Sequence, residues 1–168
     1  YKISQQTLFS VKTGSSFRFA NIDEIYESNA TFTNQFQFLR PQRARTHELG
    51  LETRGTAGRV RASLFTMDVT DEIHLDPFTT GTGNTNLPPS RRRGLELDGQ
   101  WKATPDLTLG GAYSFINAKF REGVLPGSLF TQTNVVVAGK SVPLVPKTKI
   151  VARSEEHTSE LQSRFGIS

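Results

Sequence analysis

Asp71, Glu72, His74 and Asp76 form the densest run of potential metal ligands in the chain. Carboxylate and imidazole are ligand types that hold divalent ions, but this spacing is not that of a known site. Two readings stand: a metal role for the cluster, and the commoner one of carboxylates that are solvated or paired with Arg91, Arg92 and Arg93 across the intervening segment. The three arginines are the second group of interest, because a guanidinium fork takes phosphate or carboxylate bidentately. A basic strand end with no specific partner is their plainer reading. There is no Gly-x-Ser-x-Gly, no His pair at metal-ligand spacing and no phosphate-binding glycine loop, so neither an enzyme nor a bound cofactor or metal is expected.

The elements that must position these groups are strands. From Gly94 to Trp101, Leu95, Leu97, Gly99 and Trp101 face one way and Gly94, Glu96, Asp98 and Gln100 the other. After a turn marked by Pro105 and Asp106 the alternation resumes, with Leu107, Leu109, Gly111, Tyr113 and Phe115 on one side. An upstream hairpin carries Leu49 and Leu51 against Glu48, Gly50, Glu52 and Arg54, turns at residues 55–58, and returns from about Arg59 to Val69. In that return strand Val60, Ala62 and Leu64 compete with Phe65, Met67 and Val69, which predicts a bulge near Leu64 and Phe65. A first strand is expected over Ile3 to Lys12 and a last one from about Lys147. Alternation places Arg92 with Glu96 and Asp98, and places Arg91 and Arg93 on the opposite face.

Short turns at 55–58 and 103–106 alternate with long irregular connections at 13–43, 71–91 and 118–146. Several such connections are uncommon in a compact soluble domain, whereas outer-membrane barrels combine short periplasmic turns, long extracellular loops and strands with one apolar face. A soluble sandwich whose apolar face meets a second sheet is the competing architecture. No run of about 18 apolar residues exists, which excludes a spanning helix and leaves a spanning barrel open. With 35% hydrophobic and 21% charged residues the composition does not separate the two. Basic residues are scattered except at Arg91–Arg93, so a nucleic-acid partner is not expected. Zero cysteines remove disulfides and thiolate metal sites. Aromatics at both strand ends, Trp101 at one and Tyr113 and Phe115 at the other, fit the belts of a bilayer-spanning wall. Phe17, Phe19, Tyr26, Phe32, Phe36, Phe38, Phe78 and Phe130 are many for solvated connections, and are expected either to pack loop on loop or to meet a hydrophobic ligand.

Particular segments sharpen the barrel reading. Ser16-Phe17-Arg18-Phe19-Ala20-Asn21-Ile22-Asp23-Glu24-Ile25-Tyr26 resembles the strand-and-loop segment of TonB-dependent receptor barrels. Leu39-Arg40-Pro41-Gln42 before Glu48-Leu49-Gly50, Asp68-Val69-Thr70-Asp71-Glu72-Ile73, Asn84-Thr85-Asn86 and Arg92-Arg93-Gly94-Leu95-Glu96-Leu97 are similar to successive landmarks of that family. Ala118-Lys119-Phe120 and Gly139-Lys140-Ser141-Val142-Pro143-Leu144-Val145-Pro146 follow in the family's order.

The resemblance implies an all-β fold: an antiparallel transmembrane β-barrel segment of about six strands, residues 1–152, from a barrel of about 22. It implies a receptor in the bacterial cell outer membrane that transports a ferric siderophore, or a cobalamin-like ligand, with energy delivered by TonB through a plug domain. A passive porin-like channel and a soluble β-rich binding or structural module are the alternatives. Plug, TonB box and C-terminal aromatic do not occur in these residues, and Tyr1 follows no signal segment, so the chain is expected to be internal to a longer receptor. Outer-membrane lipid and lipopolysaccharide are expected partners of the apolar face and of Arg91 and Arg93, and an anionic chelate of the polar face. Arg92, Asp71, Glu72, His74, Glu96 and Asp98 are the candidate ligand-binding residues, and Glu48 and Glu52 are expected to line the lumen with them. From Arg153 onward the sequence resembles translated sequencing adapter, and residues 153–168 are expected to be a non-native tail.

Overall fold

Alternating side chains and widely spaced turns produce one large antiparallel sheet. The computed structural model describes residues 1–28, 34–36, 38–75, 84–125 and 133–156. Six long strands pair as neighbours in chain order: β1 (Thr7–Arg18), β4 (Gln42–Gly55), β5 (Gly58–Thr70), β8 (Ser90–Lys102), β9 (Leu107–Phe120) and β12 (Thr148–Glu156). Thr56 and Ala57 alone link β4 to β5, and residues 103–106 link β8 to β9, where Thr104 Oγ1 accepts from the Leu107 amide at 3.0 Å.

Register sorts the side chains into rows. On one face lie Phe9, Leu51, Ala62, Leu97, Tyr113 and Ile150, and in the next row Val11, Leu49, Leu64, Leu95 and Phe115. Toward the short turns this face ends in Trp101 and Leu109. On the other face lie Ser10, Gly50, Ser63, Glu96, Ser114 and Lys149, beside Leu8, Glu52, Arg61, Asp98, Ala112 and Val151. A barrel wall turns such an apolar face outward to lipid and the polar one inward. Leu95 to Trp101 spans six residues, about 20 Å along the strand at 3.3 Å each. Leu49, Leu64, Leu97 and Trp101 are exposed, as a lipid-facing band requires.

Three expectations are corrected. The first strand runs to Arg18, because Thr13 to Arg18 keep pairing with β4 although they rise above the apolar band and carry no hydrophobic alternation. Before it, the chain folds back, with the Tyr1 ammonium on the Phe9 carbonyl at 2.7 Å and Lys2 bridging to Leu8. No bulge interrupts β5, which pairs residue by residue with β4 and β8. Its competing apolar sets have different uses: Val60, Ala62 and Leu64 face lipid, while Phe65 faces inward over Gly94. A Cβ on Gly94 would lie 2.5 Å from the Phe65 ring and 2.6 Å from the Phe115 carbonyl oxygen. Glycine is what lets that ring lie flat on the sheet.

The long connections are not structureless either. They hold the helical turn α1 (Ile22–Ile25) and the two-stranded pairs β2 (Tyr26–Ser28) with β3 (Asn34–Phe36), β6 (Glu72–Leu75) with β7 (Asn84–Leu87), and β10 (Val124–Leu125) with β11 (Val135–Val136). Leu87, Ala118, Phe120, Leu125, Val137 and Val142 bury one another at this end, Leu87 being 1% and Phe120 3% exposed. That small core anchors the second and third loops to the tops of β8 and β9. The last strand passes the expected boundary at Ala152 and pairs through Glu156, since any non-proline backbone offers the ladder its donors and acceptors. Asp76, Phe32, Phe78, Phe130 and the tail from His157 lie outside the described residues.

Candidate functional site

Two zones carry the polar chemistry, an inward wall and a rim of loops above it. On the wall, Glu48 accepts from Arg61 at 2.9 Å, from Ser63 at 3.3 Å and from Lys12 at 3.4 Å. Asp98 accepts from Arg59 at 3.0 Å, and Glu52 pairs with Arg54. Glu48, Arg59, Arg61, Ser63, Glu96 and Asp98 line a shallow concavity of about 260 Å³. Glu96 is exposed, and among the described residues it has no ion-pair partner. The charges alternate in sign across three strands, so the wall presents a nearly self-neutralised lattice. Glu48, Glu52, Glu96 and Asp98 therefore all lie on the inward face. Arg59, Arg61 and Ser63 were missed from sequence because the supposed bulge obscured the parity of β5, and Lys12 because its pairing with Glu48 depends on the register of β1 against β4.

Above the wall, Asp71 takes a left-handed backbone angle, φ 53°, that bends the chain from β5 into β6. Asp tolerates this region better than most residues. Its carboxylate meets Arg40 at 2.7 Å. Its carbonyl accepts from Asn86, which also exchanges two bonds with the Arg40 backbone at 2.8 and 2.9 Å. The next residue, Glu72, pairs with Arg92 at 2.5 Å. Arg92 Nε and Glu72 Oε2 are buried and lack a partner among the described residues, so the pair retains hydrogen-bonding capacity. His74 Nδ1 contacts the Leu75 carbonyl at 2.6 Å. The structure thus brings Glu72 to Arg92, as the pairing reading expected, and does not gather Asp71, Glu72 and His74 around one point. Among the described residues no three His, Cys, Asp or Glu side chains form a metal-sized group.

The first loop is docked to the second through a capped turn. The Asn21 side chain accepts from the Glu24 amide at 2.8 Å while the Glu24 carboxylate accepts from the Asn21 amide at 2.9 Å, a capping box. Arg18 Nη1 donates to both Glu24 oxygens at 2.8 Å, and its Nη2 donates to the Ile73 carbonyl at 3.4 Å. Burial pushes the Glu24 carboxyl up, but the bonds from Arg18 and Asn21 outweigh it and hold the group below the ordinary value of 4.5. Phe17 and Phe19 stack edge to face at 5.4 Å, and Phe36 and Phe38 at 5.8 Å. All four rings stay exposed, so pairing with each other does not bury them as a loop core would.

Comparison with known proteins agrees with this layout. The family model described as "TonB dependent receptor-like, beta-barrel" matches residues 1–159. Among solved structures, a chain named "Copper transporter OprC" superposes with a TM-score of 0.55 at 20% identity, covering 71% of this chain and 19% of that one. At that identity the likeness speaks to fold, and the present chain spans about a fifth of that transporter's length. With a wall of six antiparallel strands, short turns at one end and built loops at the other, this chain belongs to the TonB-dependent receptor family and is a segment of its bacterial outer-membrane β-barrel.

Proposed function

We propose that the receptor carrying this segment takes up a scarce polar solute, a ferric siderophore or a cobalamin-like chelate, using energy delivered through TonB and a plug domain. The observation that carries the reading is the inward lattice of Glu48, Arg61, Arg59, Asp98 and Glu96, a wall of balanced charge beneath a rim of tied loops. In this reading Asp71, Glu72 and His74 stand at the rim where ligand arrives. Arg92, Glu96 and Asp98 face its path inward, with Arg92 exchanging Glu72 for an anionic group of the ligand.

Copper, the cargo in the structural neighbour's name, has less support here. Soft thioether or thiolate ligands suit copper best. The chain has one Met and no Cys, and Met67 stands alone inward while His47 lies on the outward face. The tail from Arg153 is proposed to be foreign to the receptor; a genomic reading frame that continues unchanged past Ala152 would refute this.

Uptake assays test the function. Cells bearing the intact receptor should accumulate radiolabelled ferric siderophore or cobalamin only when TonB is present. Uptake that persists without TonB would instead establish a passive, porin-like channel. Equal failure of both ligand classes would remove them as substrates.

A further inference from the structure

The second loop is built into the wall, and the first is not. Ile73 of β6 and Leu87 of β7 are buried, Leu87 in the core with Phe120 and Val142. Three polar ties add to this. Glu72 pairs with Arg92 of β8, the Ile73 amide donates to the side chain of Gln42 at the start of β4 at 3.2 Å, and the Pro89 carbonyl accepts from the Arg121 amide at 2.8 Å. The β6–β7 hairpin is thus fixed to β4, β8 and the top of β9.

Among the described residues from 19 to 41 none is buried, and Phe36 and Phe38 stay 66% and 92% exposed. The ties that leave this first loop run, among the described residues, to the second. Asn84 Nδ2 donates to the Glu24 carbonyl at 3.4 Å, and the Arg40 guanidinium meets Asp71. Asn86 makes the fullest contact. Its Oδ1 accepts from the Arg40 amide at 2.8 Å, while its Nδ2 donates to the Arg40 carbonyl at 2.9 Å and to the Asp71 carbonyl at 2.8 Å. A side-chain amide has one carbonyl and two N–H donors, so every group is engaged. It offers Arg40 the donor and acceptor that a neighbouring strand would, while the Asn86 main chain stays in the ladder opposite Ile73.

We propose that the β6–β7 hairpin is the strut that holds the first loop above the wall, with Asn86 as its positioning residue. Dependence runs one way. The hairpin keeps its buried leucine and its ties to the sheet when the first loop lets go, whereas the first loop has polar ties alone. Phe38 lies two residues before Arg40, so the exposed ring pair of Phe36 and Phe38 takes its place at the rim from this clip. The clip acts whichever solute the receptor carries.

Amide hydrogen exchange reads local opening segment by segment. It is measured by mass spectrometry on the intact receptor in lipid nanodiscs. Asn86→Ala should speed exchange about tenfold or more in peptides covering residues 19–28 and 38–41, because three hydrogen bonds are lost. Residues 72–75, 84–87 and the wall strands should keep their rates within about twofold, as the hairpin's own anchors remain. Asn86→Asp preserves size and the bond from the Arg40 amide but sets a carboxylate oxygen against two carbonyls. It should release the first loop at least as far as alanine does; restored protection would make Asn86 a space-filler and overturn the proposal. Asn21→Ala removes the cap inside the first loop and should speed exchange at residues 22–26 alone. Equal loosening of the hairpin in Asn21→Ala, or of hairpin and first loop together in Asn86→Ala, overturns the strut. If Asn86→Ala fails to fold, as judged by loss of heat-modifiable gel mobility, Asn86→Ser, which keeps a single hydroxyl, should still speed first-loop exchange severalfold. Unchanged exchange in either variant refutes the role of Asn86. No solute enters the readout, so failure of the uptake reading leaves this result separate.

Discussion

Placing an arginine at successive heights on the outward face measures where the wall meets lipid. Leu51 lies in the central row with Leu97 and Tyr113, and His47 lies four residues higher on the same strand and face. Four residues are about 13 Å along the strand, or about 10 Å along the membrane normal at a tilt near 40°. That climb takes an arginine from the middle of an apolar band about 25 Å tall to near its edge. Leu51→Arg should therefore cost about 3 kcal/mol and His47→Arg about 0.5 kcal/mol. The difference corresponds to about fiftyfold or more in the folding equilibrium. Ser10→Arg, in an inward row, provides the contrast: it meets Ser63 and Glu96 rather than lipid and should cost less than about 1 kcal/mol. The assay is reversible denaturant unfolding of the intact receptor in lipid vesicles, followed by tryptophan fluorescence. Equal costs for Leu51→Arg and Ser10→Arg, or a larger cost at position 47 than at 51, would refute the assignment of faces.

Gly94→Ala should destabilise the wall by about 3 kcal/mol, because the added methyl meets the Phe65 ring and also a main-chain oxygen that cannot rotate away; denaturant unfolding reads this, and a neutral effect would show that β9 yields. Phe120→Ala should remove about 3–4 kcal/mol from the loop core. Limited proteolysis should then cut the connections faster while the strands stay protected, and unchanged cleavage would count against that core. Because the Glu24 carboxyl is held below 4.5, the capped turn gains stability at pH above the ordinary carboxylate range and loses it as pH falls through the lower folded value. The carboxyl carbon of Glu24 should titrate by NMR with a midpoint under 4.5, and a midpoint at or above that value would refute the ion pair.

Much of this was legible in one dimension. The alternation from Gly94 to Trp101 states which side of β8 meets lipid, since side chains of a strand point alternately to its two faces. Two short turns among long connections state that the strands have unlike ends. The capping box from Asn21 to Glu24 is equally local, spanning a single turn, yet it was not among the expectations, which left residues 13–43 as an irregular connection. Glu96, Asp98 and Arg92 were placed on one face by parity alone.

What the tertiary structure decided is how one strand's rows meet the next. Glu48 and Arg61 are thirteen residues apart, and Asp68 and Arg91 twenty-three. Their pairing depends on a register set by ladder hydrogen bonds and turn length, and a slip of one residue would send each partner to the opposite face. The same dependence brings Arg43 and Arg45 of β4, Arg91 and Arg93 of β8 and Lys119 of β9 together on the outward face. It also hides the use of Phe65, whose inward position makes sense only beside Gly94 on a neighbouring strand. The loop core of Leu87, Phe120 and Val142 has no period to announce it, because its members come from the second loop, the top of β9 and the third loop, and meet only after the sheet has fixed where those loops begin. Local pattern thus determined strands, faces and ends; which charges face one another, and on which side of the membrane, followed from strand register.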